Sequence, residues 1–138
     1  MIELLPFKAD DLLLIKAREP YPGFSIAMEL ERRGPALTAW LAGKPIGAAG
    51  IAKLWKGVGE AWAFVGPEAA ARPIWMTKTI RQYIRRLREE MGLSRVQVYA
   101  RYYTVSWAAR FFDAGLEAQL KHYFPDGEDA FLMAWIKP

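Results

Sequence analysis

The chain has 138 residues, 53% hydrophobic and 14% aromatic, with a formal net charge of +4 at pH 7 and a pI near 9.4. Such a chain is long and apolar enough to build a core as one domain over residues 1–138, which excludes a disordered tail. Zero cysteines exclude a disulfide framework, a thiolate metal site and a thiol nucleophile.

No apolar run approaches the roughly 20 residues of a membrane span. The opening MIELLPFKADD has neither the charged start nor the small-residue cleavage site of a secretory signal, so a cytoplasmic location is expected. The positive balance permits an acidic partner, and it equally describes a slightly basic soluble protein.

In chain order, IELLPF predicts a short strand over 2–7, stopped by Pro6. KADDLLLIKARE predicts a helix over 8–19, capped by Asp10 or Asp11. YPGF breaks the chain. SIAMELERRG predicts a second helix with Ser25 as its cap and Gly34 as its stop. ALTAWLA and PIGAAGIAKLW form a hairpin around Gly43–Lys44, with Gly47 and Gly50 marking a bend or a close backbone approach. EAWAFV, over 60–65, is the next strand.

The clearest element is the helix after Pro73, which suits a first helical position. Ile80, Ile84, Leu87 and Met91 share one face, and Lys78, Arg81, Arg85 and Arg88 form a basic stripe beside it. That stripe offers a surface for nucleic acid or acidic protein, although a solvated helix face is the simpler reading. Gly92 ends the helix. RVQVYAR alternates as a strand with Val96, Val98 and Ala100 on one side. TVSWAARFFDAG reads as a short helix capped by Thr104 and stopped by Gly115, and the tail as two strands around PDGED. His122 is the sole histidine, which excludes a two-histidine metal motif. With Asp126, Glu128 and Asp129 it reads as a solvated turn.

The order β-α-α-β-β-β-α-β-α-β-β, with the phrases WLAGKPIGAAGI, FVGP, WAARFFDAGLEAQ and DGEDAFLMAWIK, resembles the GCN5-related N-acetyltransferase superfamily over nearly the whole chain. The fold class expected is therefore α/β, with a mixed central sheet and helices on both faces. Within the superfamily, WAFV, the basic helix, VQVYAR, RFFDAG and HYFPDGEDAFLMAWIK resemble a divergent branch in short-tailed phages. That branch includes a small internal virion protein with an acetyltransferase-like fold.

The resemblance implies acetyl transfer from acetyl-CoA to an amine. It implies that the pantetheine chain bonds to the backbone of the fourth strand, here Ala63 and Val65. It also implies a glycine-bearing loop whose amides reach the pyrophosphate, because phosphate oxygens need backbone donors at about 3 Å. The matching stretch here is AARPIW, with Ala70, Ala71 and Arg72 as candidate contacts. No glycine lies between Gly66 and Gly92. Pro73 has no amide to give, and Trp75 is bulky where the family has a small residue. The residue matching the family's proton-donating tyrosine is Phe111, with Tyr99, Tyr102 and Tyr103 nearby as substitutes or as packing aromatics. Glu60, at the start of the fourth strand, is the candidate general base.

Two function classes follow. One is a phage or prophage scaffold, virion-associated, with a degenerate pyrophosphate loop, little or no activity, no cofactor and a protein partner in assembly. It would reside in the host cytoplasm or the virion. The other is a working acetyl-CoA-dependent N-acetyltransferase. The two departures from the family pattern tilt the sequence reading towards the scaffold.

Overall fold

In the computed structural model, residues 1–17, 20 and 22–138 are described; Arg18, Glu19 and Tyr21 lie outside the described residues. The elements are β1 (Ile2–Pro6), α1 (Asp11–Leu14), α2 (Phe24–Arg33), β2 (Ala36–Leu41), β3 (Lys44–Trp55), β4 (Val58–Val65), α3 (Pro67–Ala70), α4 (Pro73–Glu90), β5 (Arg95–Ala100), α5 (Val105–Phe112), β6 (Gly115–Leu120) and β7 (Ala130–Ile136). Among the described residues the strands form a seven-stranded sheet in the order β1-β2-β3-β4-β5-β7-β6. β4–β5 is a parallel pair, and β1–β2, β2–β3, β5–β7 and β6–β7 are antiparallel. No helix among the described residues is long and apolar enough to cross a membrane. The chain divides into two compact units, Met1–Lys53 with Trp62–Met76, and Leu54–Ala61 with Thr77–Pro138.

In the first unit, Phe7, Leu12, Ile15, Ala27, Ala48 and Trp62 make a buried cluster. The rings of Phe7 and Trp62 meet edge-on at 4.9 Å. The first helix is four residues long, where the sequence pattern predicts twelve. Asp10, one of the two expected caps, stands at its N-cap position without a side-chain bond to the helix, and Asp11 is its first residue. The Asp11 carboxylate accepts from the Lys8 amide at 3.0 Å and from the fully buried Thr38 hydroxyl at 2.7 Å. At Ile15 the backbone turns extended (φ −87°, ψ 119°), and its side chain is buried in the cluster. The end of the predicted helix falls on Arg18 and Glu19, outside the described residues.

The second helix is capped by Gly23 at φ 92°, with Ser25 one turn position inside it. Its stop at Gly34 agrees with the pattern. The hairpin turns at Ala42–Gly43 (φ 50° and 76°), one residue earlier than expected, and two successive left-handed residues match the twist of a tight hairpin. Gly50 does mark a close approach: a side-chain carbon there would lie 2.6 Å from the Pro35 carbonyl oxygen.

In the second unit, β5 buries Val96, Val98 and Ala100, as its alternation predicts, alongside Ile84, Leu87, Phe111, Phe112 and Met133. The last helix stops at Asp113, not at Gly115, which opens β6. Asp113 takes the left-handed conformation (φ 53°), which aspartate tolerates better than most residues. Its carboxylate gathers the basic stripe. Arg85 donates to it at 2.9 and 3.1 Å, and Arg88 at 3.3 Å. Arg81 donates to the Arg110 carbonyl at 2.8 Å. Arg88 also lies over the Trp135 ring at 4.0 Å. Three of the four cations in the proposed nucleic-acid stripe therefore hold the C-terminus of α5, where cations complete unpaired carbonyls. Arg88 is buried and not solvated. Lys78 is exposed.

Candidate functional site

The parallel ladder between β4 and β5 consists of Val58↔Arg95, Gly59↔Val96 and Glu60↔Gln97. Both strands continue beyond it, to Val65 and to Ala100. Glu60 thus stands on the last rung. Paired residues share a face of a sheet and alternate along each strand. Val58, Glu60, Arg95, Gln97 and Tyr99 therefore belong to one face, opposite the buried Val96, Val98 and Ala100. On it, Arg95 donates to the Gln97 side-chain oxygen at 3.1 Å and grips Glu117 with two bonds of 2.9 and 2.7 Å.

Tyr99 carries the arrangement further. Its ring stacks on that of Tyr123 at 5.0 Å and 7°, and Tyr123 comes from the connection between β6 and β7. Burial raises the pKa of the Tyr123 phenol; the charges of Tyr99 and Glu60 and a hydrogen bond with Tyr99 raise it further. Glu60, Tyr99 and Tyr123 are thus electrostatic neighbours. They bring a carboxylate, which can accept a proton, near a half-exposed phenol, which can donate one.

Tyr102 and Tyr103 do not stack with this pair: their rings meet edge-on at 5.0 Å, and Tyr102 is exposed. Phe111, 1% exposed, is a core ring against Trp107 and Phe112. Thr104 is the N-cap residue of α5, as expected, and its carbonyl accepts from the Ala108 amide at 3.0 Å, but its hydroxyl makes no bond to the helix. Its hydroxyl accepts from the Arg101 amide at 3.0 Å and donates to the Arg101 carbonyl at 3.2 Å. The acids of the PDGED turn are engaged by protein groups: Asp129 by the His122 amide and Gln119, Asp126 and Glu128 by Arg101.

The first unit contains the coenzyme candidates. Ala63 is half-buried and Val65 buried on β4. After them the Gly66 amide donates to the Ile46 carbonyl at 2.8 Å, and the chain coils into α3, an element absent from the sequence reading. The amides of Ala70, Ala71 and Arg72 donate to the carbonyls of Gly66, Pro67 and Ala69 at 3.0, 2.9 and 2.9 Å. Spent in this way, they do not present the donors expected of residues 70–72. The first helical bond of α4 is Met76 to Arg72, 2.9 Å. The amides of Ile74 and Trp75 therefore occupy first-turn positions that have no partner within the helix. Ile74 is 85% exposed, and Trp75 is half-buried. Arg72, exposed, donates to the Glu68 carbonyl at 2.8 Å. Two amides, the positive end of an 18-residue helix and an adjacent guanidinium form a donor set that fits a diphosphate.

No protein-family model matches the sequence, and no curated protein matches it. Solved structures do. Ard1 from Thermoplasma volcanium superposes with a TM-score of 0.77 at 16% identity, covering 99% of this chain and 98% of that one. The ribosomal-protein-S18-alanine N-acetyltransferase from Escherichia coli gives 0.76 at 17%, covering 100% and 96%. The fold is that of the GCN5-related N-acetyltransferases. An IAA acetyltransferase from Bacillus cereus shares it, at 0.74 and 16% identity over 99% of both chains. Two residues that the structure brings to the candidate site or its neighbourhood, Tyr123 and Arg101, are not found by reading the sequence. HYFPDGED reads as a polar turn, and nothing in its spacing shows that its tyrosine returns to β5.

Proposed function

We propose that the chain is an acetyl-CoA-dependent N-acetyltransferase acting on an amine. The observation that carries this reading is the last rung of the β4–β5 ladder: Glu60 stands where the pairing stops, with the Tyr99–Tyr123 pair as its neighbour. Acetyl-CoA, when bound, supplies a thioester carbonyl open to a neutral amine. The work left to the chain is to make the amine neutral and to hold the reactants. Glu60 takes the ammonium proton. Tyr123, a phenol that is protonated at neutral pH, donates a hydrogen bond where negative charge develops. Ala63 and Val65 offer backbone groups to the pantetheine chain. Ile74, Trp75 and Arg72 take the diphosphate, in place of Ala70 and Ala71. The solved neighbours include enzymes named for an S18 alanine and for spermidine/spermine, and an amine acceptor is common to those names.

The test pairs thermal melting with a thiol-release assay. Acetyl-CoA at 100 times its dissociation constant stabilises a fold by about 2.7 kcal/mol, so the melting temperature rises clearly and free CoA accumulates with a suitable amine.

A second reading, a phage- or prophage-type scaffold or virion-associated assembly protein with little activity, draws on two observations. The amides at 70–72 are bonded to carbonyls within the α3 turn, and Phe111 provides no acid. It predicts no melting shift with millimolar acetyl-CoA, no thiol release, and recovery of a virion component in a pull-down from phage-infected cells.

A further inference from the structure

Arg101 follows the last residue of β5 and is only 6% exposed. Its backbone is pinned at the start of α5 by Thr104, whose amide donates to the Arg101 carbonyl at 2.9 Å. From that anchor the side chain reaches the β6–β7 connection. Nη1 donates to Asp126 Oδ2 at 2.8 Å and to Glu128 Oε1 at 2.6 Å. The guanidinium carbon lies 4.1 Å from the centroid of the Phe124 ring. Phe124 meets Tyr123 edge-on at 5.5 Å, and Tyr123 lies parallel to Tyr99. A continuous run of contacts therefore joins Arg101 to the ring pair beside Glu60.

The connection also shapes itself. The Gly127 amide donates to the Phe124 carbonyl at 2.8 Å, the Phe124 amide to the Glu128 carbonyl at 3.0 Å, and the His122 amide to Asp129 at 2.9 Å. Those bonds set the loop's internal form. Arg101 fastens its tip to the end of β5. A cation kept this far from water costs free energy unless paired, and a planar fork over a ring between two carboxylates is the arrangement that arginine, not lysine, completes.

We propose that Arg101 is the positioning residue of the candidate site: it clamps the β6–β7 connection so that Tyr123 stays stacked on Tyr99 beside Glu60, and so fixes how an acceptor amine is held. The catalytic half of this inference rests on the acetyltransferase reading; the clamp rests on the geometry alone.

The test uses the full chain with labelled tyrosine rings, carrying Arg101→Gln, Arg101→Lys, or Asp126→Asn with Glu128→Gln. The double variant cuts the clamp from its exposed end, which guards against a misfolded Arg101 variant. Nuclear Overhauser contacts between the Tyr99 and Tyr123 rings are followed together with steady-state rates on spermidine and on an alanine-initiated peptide. Arg101→Gln and the double variant are expected to lose the ring contact. They should raise KM for the amine or lower kcat by roughly tenfold or more, with KM for acetyl-CoA unchanged. Arg101→Lys should recover part of both effects. Retention of the ring contact in Arg101→Gln and in the double variant would overturn the proposal. So would a rise in both KM values in step with a lowered melting temperature. If the unsubstituted chain turns over no amine, the proposed function fails, and the ring contacts alone decide whether Arg101 is a clamp.

Discussion

Replacing Asp113 tests whether the basic face of α4 is structural. The carboxylate meets three arginines, and they are not equivalent. Arg85 and Arg81 are substantially exposed, at 53% and 35% of their side chains, whereas Arg88 is 9% exposed. Exposed pairs contribute little, so the loss is concentrated on Arg88. Its bond to Asp113 is 3.3 Å and its contact with the Phe112 carbonyl 3.5 Å, both long. Asp113→Asn should cost about 2 kcal/mol, the range for a hydrogen bond to a charged group. Asp113→Ala should cost about 1 kcal/mol more, because alanine is poorly suited to the left-handed conformation at φ 53°. For a chain of this size each kcal/mol lowers the melting temperature by roughly 4 °C, giving drops near 8 °C and 12 °C.

A second arm of the same experiment is pH. The hydrogen bonds of Arg85, then the charges of Arg88 and Arg81, hold the Asp113 carboxyl below its ordinary value of 3.8, against an opposing push from burial. A depressed carboxyl stabilises the fold fully above its unfolded pKa, and that contribution disappears as pH falls through the folded value. Melting curves from pH 7 down to 2 should therefore show a fall below pH 4 that is smaller in Asp113→Asn. Equal melting temperatures for the three proteins at pH 7 would refute the reasoning and return the stripe to the solvent.

Glu60→Gln should lower kcat by roughly two to four orders of magnitude, the usual contribution of a general base, with the melting temperature unchanged; turnover within tenfold of the unsubstituted chain would remove Glu60 from the mechanism. Arg72→Ala should weaken acetyl-CoA binding in calorimetric titration by several-fold, as expected for one exposed cation on a phosphate, and leave kcat unaltered. In an absorbance titration of the phenols, Tyr83, half-buried, should ionise near pH 12, and the Tyr123 signal should move to lower pH in Glu60→Gln because one of the charges raising it is gone. Gly50→Ala should fold poorly, since the added carbon would sit 2.5 Å from the Ala36 side chain and 2.6 Å from the Pro35 oxygen; a melting temperature equal to the parent's would show that β2 can yield.

What the sequence discloses follows the range of the forces involved. Strands and long helices announce themselves through periodic burial, so β5, α4 and the closing β6–β7 pair were legible from Val96, Ile84 and PDGED. Their ends were less so, because a helix end is decided by partners elsewhere. Asp11 gives its carboxylate to Lys8 and Thr38, 27 residues away along the chain. Asp113 ends α5 where Gly115 was expected, in contact with arginines 25 and 28 residues back. Ala70 and Ala71 suggest backbone donors, but α3 spends those amides locally and leaves the start of α4 as the donor set.

The same logic separates the two parts of the candidate site. Glu60 is legible as a candidate because the strand that carries it is legible. Tyr123 and Arg101 are not, because each acquires meaning only when β7 pairs with β5. That pairing matches Tyr99 with Leu132 and Ala100 with Phe131, and brings the preceding connection back to the end of β5. The ring pair is therefore a product of sheet register. A slip of β7 along β5 by one residue would carry the connection about 3.4 Å along the strand, a distance that unstacks two rings. The site and the strand order are thus one constraint, and a variant that loosened β7 would be expected to separate the tyrosines before it altered the helices.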